Sequence, residues 1–128
     1  MTEHIRLSFP VNAAYVSSAR LTASSIANRI RFDIDEIEDI KTAVSEACTY
    51  IIKRSSSRQN SFEICFMPGE DEINVDIIAV GEWAEPQADE MSLMMISALV
   101  DEFSISKPQE DKISITMSKK HKESTLFD

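Results

Sequence analysis

The stretch from Asp33 to Arg54 limits the possible folds more than any other part of the chain. Ile37, Ile40, Val44, Ala47, Cys48, Ile51 and Ile52 recur at helical spacing and form one apolar stripe. Asp33 stands where an N-cap belongs, and Glu36 three residues on predicts a capping box. Asp35, Glu36, Glu38 and Asp39 fill the first turns, and Lys53 and Arg54 lie at the far end. That polarity complements the helix dipole and also reads as a solvated, well-capped terminus.

The flanking segments supply a sheet for this helix. Residues 5–9 alternate apolar and polar as a half-buried strand does, and Pro10 ends the run. Asn12 can cap a helix over 13–30, whose stripe is Ala13, Val16, Ala19, Ala23, Ile26, Ala27 and Ile30. Its polar face is rich in Ser and Thr and carries Arg20 and Arg29. Residues 55–60 read as a loop. Phe62, Ile64 and Phe66, the turn Pro68-Gly69-Glu70-Asp71, then Ile73, Val75, Ile77 and Ala79 predict a hairpin. An irregular segment with Trp83 and Pro86 comes next. A third helix is expected over about 88–102, ended by Asp101-Glu102. Met91, Met94, Met95, Ala98 and Leu99 form its stripe, and the methionines read as core filling rather than a partner groove. Ile113, Ile115 and Met117 mark a closing strand, and a charged tail is expected to fray from Lys119. The order strand, helix, helix, strand, strand, helix, strand predicts an α+β two-layer sandwich, with a mainly antiparallel sheet and helices on one face. It is one domain over 1–120 with a polar tail over 121–128.

Charge and composition narrow the function. Thirteen Lys and Arg against twenty-two Asp and Glu give a net charge of −9. Such a chain is repelled by phosphate backbones and anionic lipid, so neither direct nucleic-acid binding nor membrane docking is expected. Lys119, Lys120 and Lys122 read as a solubilising end. Cys48 and Cys65 lie in apolar surroundings and are expected in the core. With His4 and His121 at opposite ends, no metal-ligand spacing and no Ser/His/Asp set can be proposed. The first residues are not those of a signal peptide, and no apolar run approaches ~18 residues, so the expected compartment is the cytoplasm. Only two glycines occur, Gly69 and Gly81, too few for a loop that cradles phosphates.

Arg20-Leu21-Thr22 and the run Ile37-Glu38-Asp39-Ile40-Lys41-Thr42-Ala43-Val44-Ser45-Glu46-Ala47-Cys48-Thr49 resemble the anti-sigma factor serine kinases of bacterial partner-switching systems. These belong to the GHKL, or histidine kinase-like, ATPases with the Bergerat fold. Residues 93–102 and 115–119 resemble the same family's third helix and last strand. The resemblance implies a catalytic Glu at Glu46, and four residues on an Asn that holds Mg²⁺; here that position is Tyr50. A phenol is a poor Mg²⁺ ligand. In the family's next motif, Asp-x-Gly-x-Gly, the Asp accepts the adenine amino group. The matching residues are Ala79, Gly81 and Trp83, so the Asp and the second Gly are absent. The phosphate-binding Gly-x-Gly corresponds to Glu90 and Ser92, and the Gly that opens the last strand to Asp111.

These departures together imply a Bergerat scaffold whose nucleotide site is degenerate, with Glu46 a remnant, Trp83 filling the vacated adenine pocket, and no metal or cofactor. The resemblance implies binding of a sigma factor or of an anti-anti-sigma (STAS-domain) protein, and a homodimer. Ser17, Arg20 and Ser24 share one helix face, and Arg20 matches a position the family uses at its partner surface. The alternative is an active protein serine kinase using Mg·ATP. A scaffold that dimerises with an active paralogue stands beside both.

Overall fold

The computed structural model describes residues 3–86 and 91–122. A sheet of β1 (Ile5–Pro10), β2 (Ser61–Pro68), β3 (Glu72–Val80), β4 (Glu102–Gln109) and β5 (Lys112–Lys120) lies under helices α1 (Val16–Ala27), α2 (Ile34–Arg54) and α3 (Met91–Leu99). The spatial order is β1-β2-β3-β5-β4, and every pairing is antiparallel. This is the expected two-layer α+β architecture.

The strand alternation sets which face is buried. Leu7, Ile64, Ile77, Ile115 and Ile105 fall on one row across all five strands, and Ile5, Phe66, Val75, Met117 and Phe103 on the next. α2 packs along this face between α1 and α3. Its fully buried Ile40, Val44, Ala47, Cys48 and Ile51 are the apolar stripe read from the sequence. Burial pushes the Cys48 thiol up to about 12, so it is inert. The outward row runs Arg6, Cys65, Asp76, Thr116 and Ser104. Cys65 is therefore not a core residue: it is half-buried on the open face, its Sγ 3.9 Å from His4 Nδ1.

Three other expectations need correction. Asn12 caps a short 3-10 turn, Ala13–Tyr15, through Ala14 N–H at 2.9 Å, and the helix proper begins only at Val16. The third helix stops at Leu99, and Glu102, expected to end that helix, instead opens a strand, β4, that the sequence reading does not foresee. Met91, Met94 and Met95 are 60%, 69% and 40% exposed, so they do not fill the core; Ser92 and Ile96 are the buried residues of α3.

Residues 119–122 are also better held than expected. Lys119 lies within β5, buried, with Nζ 2.7 Å from the Leu99 carbonyl and 3.3 Å from Asp39. His121 is buried, and His121 and Lys122 both bond to Glu36. Fraying from Lys119 is excluded by these bonds. No helix among the described residues is long and apolar enough to cross a membrane.

Candidate functional site

Glu46, Tyr50 and Arg54 are spaced four residues apart, so α2 presents them as one stripe. Half-buried Glu46 faces the start of α3, where Ser92 Oγ donates to Glu46 Oε2 at 2.9 Å. Two residues singled out by sequence are thereby brought together. A carboxylate also gains from lying near the positive end of a helix. With Ile96 one turn on, this contact seats α3 on α2.

The Tyr50 position is organised for another purpose than holding a metal. Tyr50 is 5% exposed, and its hydroxyl accepts a hydrogen bond from Arg54 Nη1 at 2.9 Å. The guanidinium carbon lies 5.6 Å from the centroid of the same ring. Arg54 Nε donates to the Ala84 carbonyl at 2.9 Å, and the Ala84 N–H donates to the Arg54 carbonyl at 2.7 Å. Side chain and backbone of one residue thus clasp the segment after β3 onto the last turn of α2. Sequence reasoning places Arg54 only as a charge at a helix end. Its spacing of four from Tyr50 is the available signal.

Gly81 keeps its place for a local reason. Its φ is +146°, and a Cβ there would overlap the Asn60 side chain. Asn60 is buried and binds the segment closely: Oδ1 accepts from Glu82 N–H at 2.8 Å, and Nδ2 donates to the Glu82 carbonyl at 2.6 Å and to Ser55 Oγ at 2.7 Å. The carbonyl of Asp111, in the turn before β5, accepts from Gly81 N–H at 2.8 Å and from Trp83 Nε1 at 3.1 Å. Trp83 is half-buried against the core. Ala79 is fully buried on the inner face, in a row with Phe62 and Ile113, and its methyl offers no acceptor. Glu90 lies outside the described residues.

Among the described residues, Tyr50 does not offer Mg²⁺ the ligand that the resemblance assigns to its position. The Tyr50 oxygen is engaged by a guanidinium, so a divalent cation there would meet a fixed positive charge. For charges ~5 Å apart at an effective dielectric of ~20 the repulsion is of order 7 kcal/mol. Glu46 remains as an oxygen donor, and Mg²⁺ needs near-octahedral oxygen coordination. Among the described residues no group of three His, Cys, Asp or Glu side chains is placed to hold a metal. Ser17 and Arg20 are exposed and Ser24 half-buried, on the outer side of α1 beside Leu21, which is 65% exposed. The clustered α1 face and the Glu46–Arg54 stripe are separate surfaces of the helical layer.

Residues 9–119 match the histidine kinase-like ATPase domain family. The serine-protein kinase RsbW of Bacillus cereus (strain G9842) is 33% identical over 108 residues, covering 84% of this chain and 64% of that protein. The RsbW kinase of Bacillus subtilis (strain 168) is 35% identical over 80 residues, 62% of this chain and 50% of that one. The solved RsbU and RsbW domains of Rv1364c from Mycobacterium tuberculosis superpose with a TM-score of 0.71 over 93% of this chain and 32% of theirs. At 17% identity that likeness is one of fold. The chain spans about half to two thirds of the length of the RsbW kinases it matches. With a sheet layered under helices and Glu46 at the α2–α3 junction, the chain belongs to the histidine kinase-like ATPase domain family, and the RsbW serine-protein kinases are among its relatives.

Proposed function

We propose that this chain is a regulatory protein-binding module of the anti-sigma kind, engaging a sigma factor or a STAS-domain anti-anti-sigma protein without Mg·ATP turnover. One observation carries the loss of turnover: the buried Arg54 guanidinium bonds the Tyr50 hydroxyl, at the position the resemblance assigns to the metal ligand. Ala79 and Trp83 support it, since the adenine acceptor is a methyl and the second motif glycine a large ring. Partner binding is assigned to α1, where an exposed Arg20 next to an exposed Leu21 has the make-up of an interface anchor.

The test is a calorimetric titration of the wild-type chain and Arg20→Glu against the sigma factor and STAS-domain proteins of the same cell. The reading expects binding of one of them by the wild type, at least tenfold weaker for the variant, with the variant's melting temperature unchanged. Equal affinity for both chains would contradict it.

The second reading, an active serine kinase, has its own support. The relatives are named serine-protein kinases, and the name speaks for that reading over loss of activity. Glu46 is retained, with only the Ser92 hydroxyl bonded to it among the described residues. ATP-dependent phosphorylation of a serine in a STAS partner, abolished by Glu46→Gln, would establish this second reading.

A further inference from the structure

Buried charges are normally paired, because an isolated one loses its hydration without return. Glu36 and Lys119 are each held in this way: Glu36 bonds His121 Nδ1 at 2.7 Å and accepts from two backbone N–H groups, and Lys119 faces Asp39 at 3.3 Å. Arg54 is not. It is 9% exposed, and its partners among the described residues are all neutral: the Ala84 carbonyl, the Tyr50 hydroxyl and the Tyr50 ring. A guanidinium has five N–H donors, and two are engaged. The other three have no acceptor, and the charge no anionic partner, among the described residues.

We propose that Arg54 is an anion site that takes a phosphate group without a divalent metal. The inference rests on the reading that Tyr50 and Arg54 replace a metal ligand. A guanidinium presents its donors as a planar fork that matches two phosphate oxygens, and it carries the charge that Mg²⁺ would otherwise supply. The Tyr50 hydroxyl accepts from Arg54 and so keeps its own O–H to donate to the same phosphate. Low local dielectric strengthens both contacts. The clasp on Ala84 fixes Nε and leaves the rotation of the head group little freedom, so the fork is preorganised.

The test uses the full chain in EDTA, with inorganic phosphate and ADP as probes, read by thermal melt and calorimetry. Saturating ligand raises the melting temperature by a few degrees when it binds only the folded state. The expected result is a shift with EDTA present that Mg²⁺ does not increase. Arg54→Lys, which keeps the charge and loses the fork, weakens binding at least tenfold, and Arg54→Met abolishes it. Should Arg54→Met fail to fold, Arg54→Lys and Tyr50→Phe, which removes the donor hydroxyl, carry the test. Binding of both probes assigns the site to the phosphate ion itself; binding of ADP alone assigns it to a nucleotide phosphate. No shift with either probe, or binding untouched by Arg54→Lys, overturns the inference and leaves the proposed function standing. Binding that requires Mg²⁺ overturns both.

Discussion

Two of the three glutamates of helix α2, Glu36 and Glu46, are treated by the fold in opposite ways. Glu36, in the first turn, is 1% exposed and held on every side. Its Oε1 accepts from Asp33 N–H at 2.9 Å and bonds His121 Nδ1 at 2.7 Å, and its Oε2 accepts from Lys122 N–H at 2.8 Å. Glu46, near the middle, is half-buried and bonded by Ser92 alone among the described residues. The carboxylate that looks like an ordinary helix cap is thus the better-secured one. It ties together the α2 start, the end of β5 and, through the His121 N–H on the Asp71 carbonyl at 2.8 Å, the β2–β3 turn. The residue marked for chemistry carries far less of the fold.

Substitutions that weigh these two ends of α2 should separate widely. Glu36→Ala is expected to cost the most, about 3–5 kcal/mol, because it leaves a buried His121 and two backbone N–H groups facing a void. A urea denaturation midpoint measures it, and a loss below about 1 kcal/mol would erase the contrast. Gly81→Ala comes next, at about 2–3 kcal/mol, since its φ of +146° and the Asn60 side chain both oppose a Cβ. The same substitution at Gly69, where a Cβ would meet its nearest neighbour at an ordinary 3.4 Å, serves as the control.

Acid should act on the first end as well. Burial pushes the Glu36 carboxyl up, but hydrogen bonds from Asp33 N–H, His121 and Lys122 N–H outweigh it, so the folded value lies below the ordinary one. A lowered value means stability that is present above the unfolded pKa of about 4.3 and is lost as pH falls from there through the folded value. Stability curves at pH 7, 4 and 3 should therefore fall more steeply for the wild type than for Glu36→Gln. Parallel curves would show that the carboxylate is not the group responding. The smallest effect belongs to the second end: Ser92→Ala and Glu46→Gln should each change stability by about 1 kcal/mol or less, read in the same denaturation.

The legible part of this molecule is whatever local periodicity dictates. The α2 stripe, the capping box of Asp33 and Glu36, and the β2–β3 hairpin are all patterns within a few residues. The third helix is misread because residues from Met91 to Phe103 are apolar enough to satisfy a helical and a strand period at once. So the helix is run on to Glu102, β4 beyond it is missed, and the methionines are assigned to the wrong face. Long-range contacts are out of reach. The pairing of His121 with Glu36 spans 85 residues and that of Arg54 with Ala84 spans 30, and neither leaves a local trace. At the candidate site, substitutions at motif positions are readable as losses. What fills them, a guanidinium on a phenol, needs the fold.

The central claim is that the stripe from Glu46 to Arg54 no longer serves a metal-bound nucleotide. Calorimetric titration of the purified chain with ATP, with Mg²⁺ and then with EDTA, tests it most directly. The account predicts no Mg²⁺-dependent heat, and any binding that survives EDTA should depend on Arg54. Micromolar binding that appears only with Mg²⁺ would contradict it and return the chain to the kinases among its relatives.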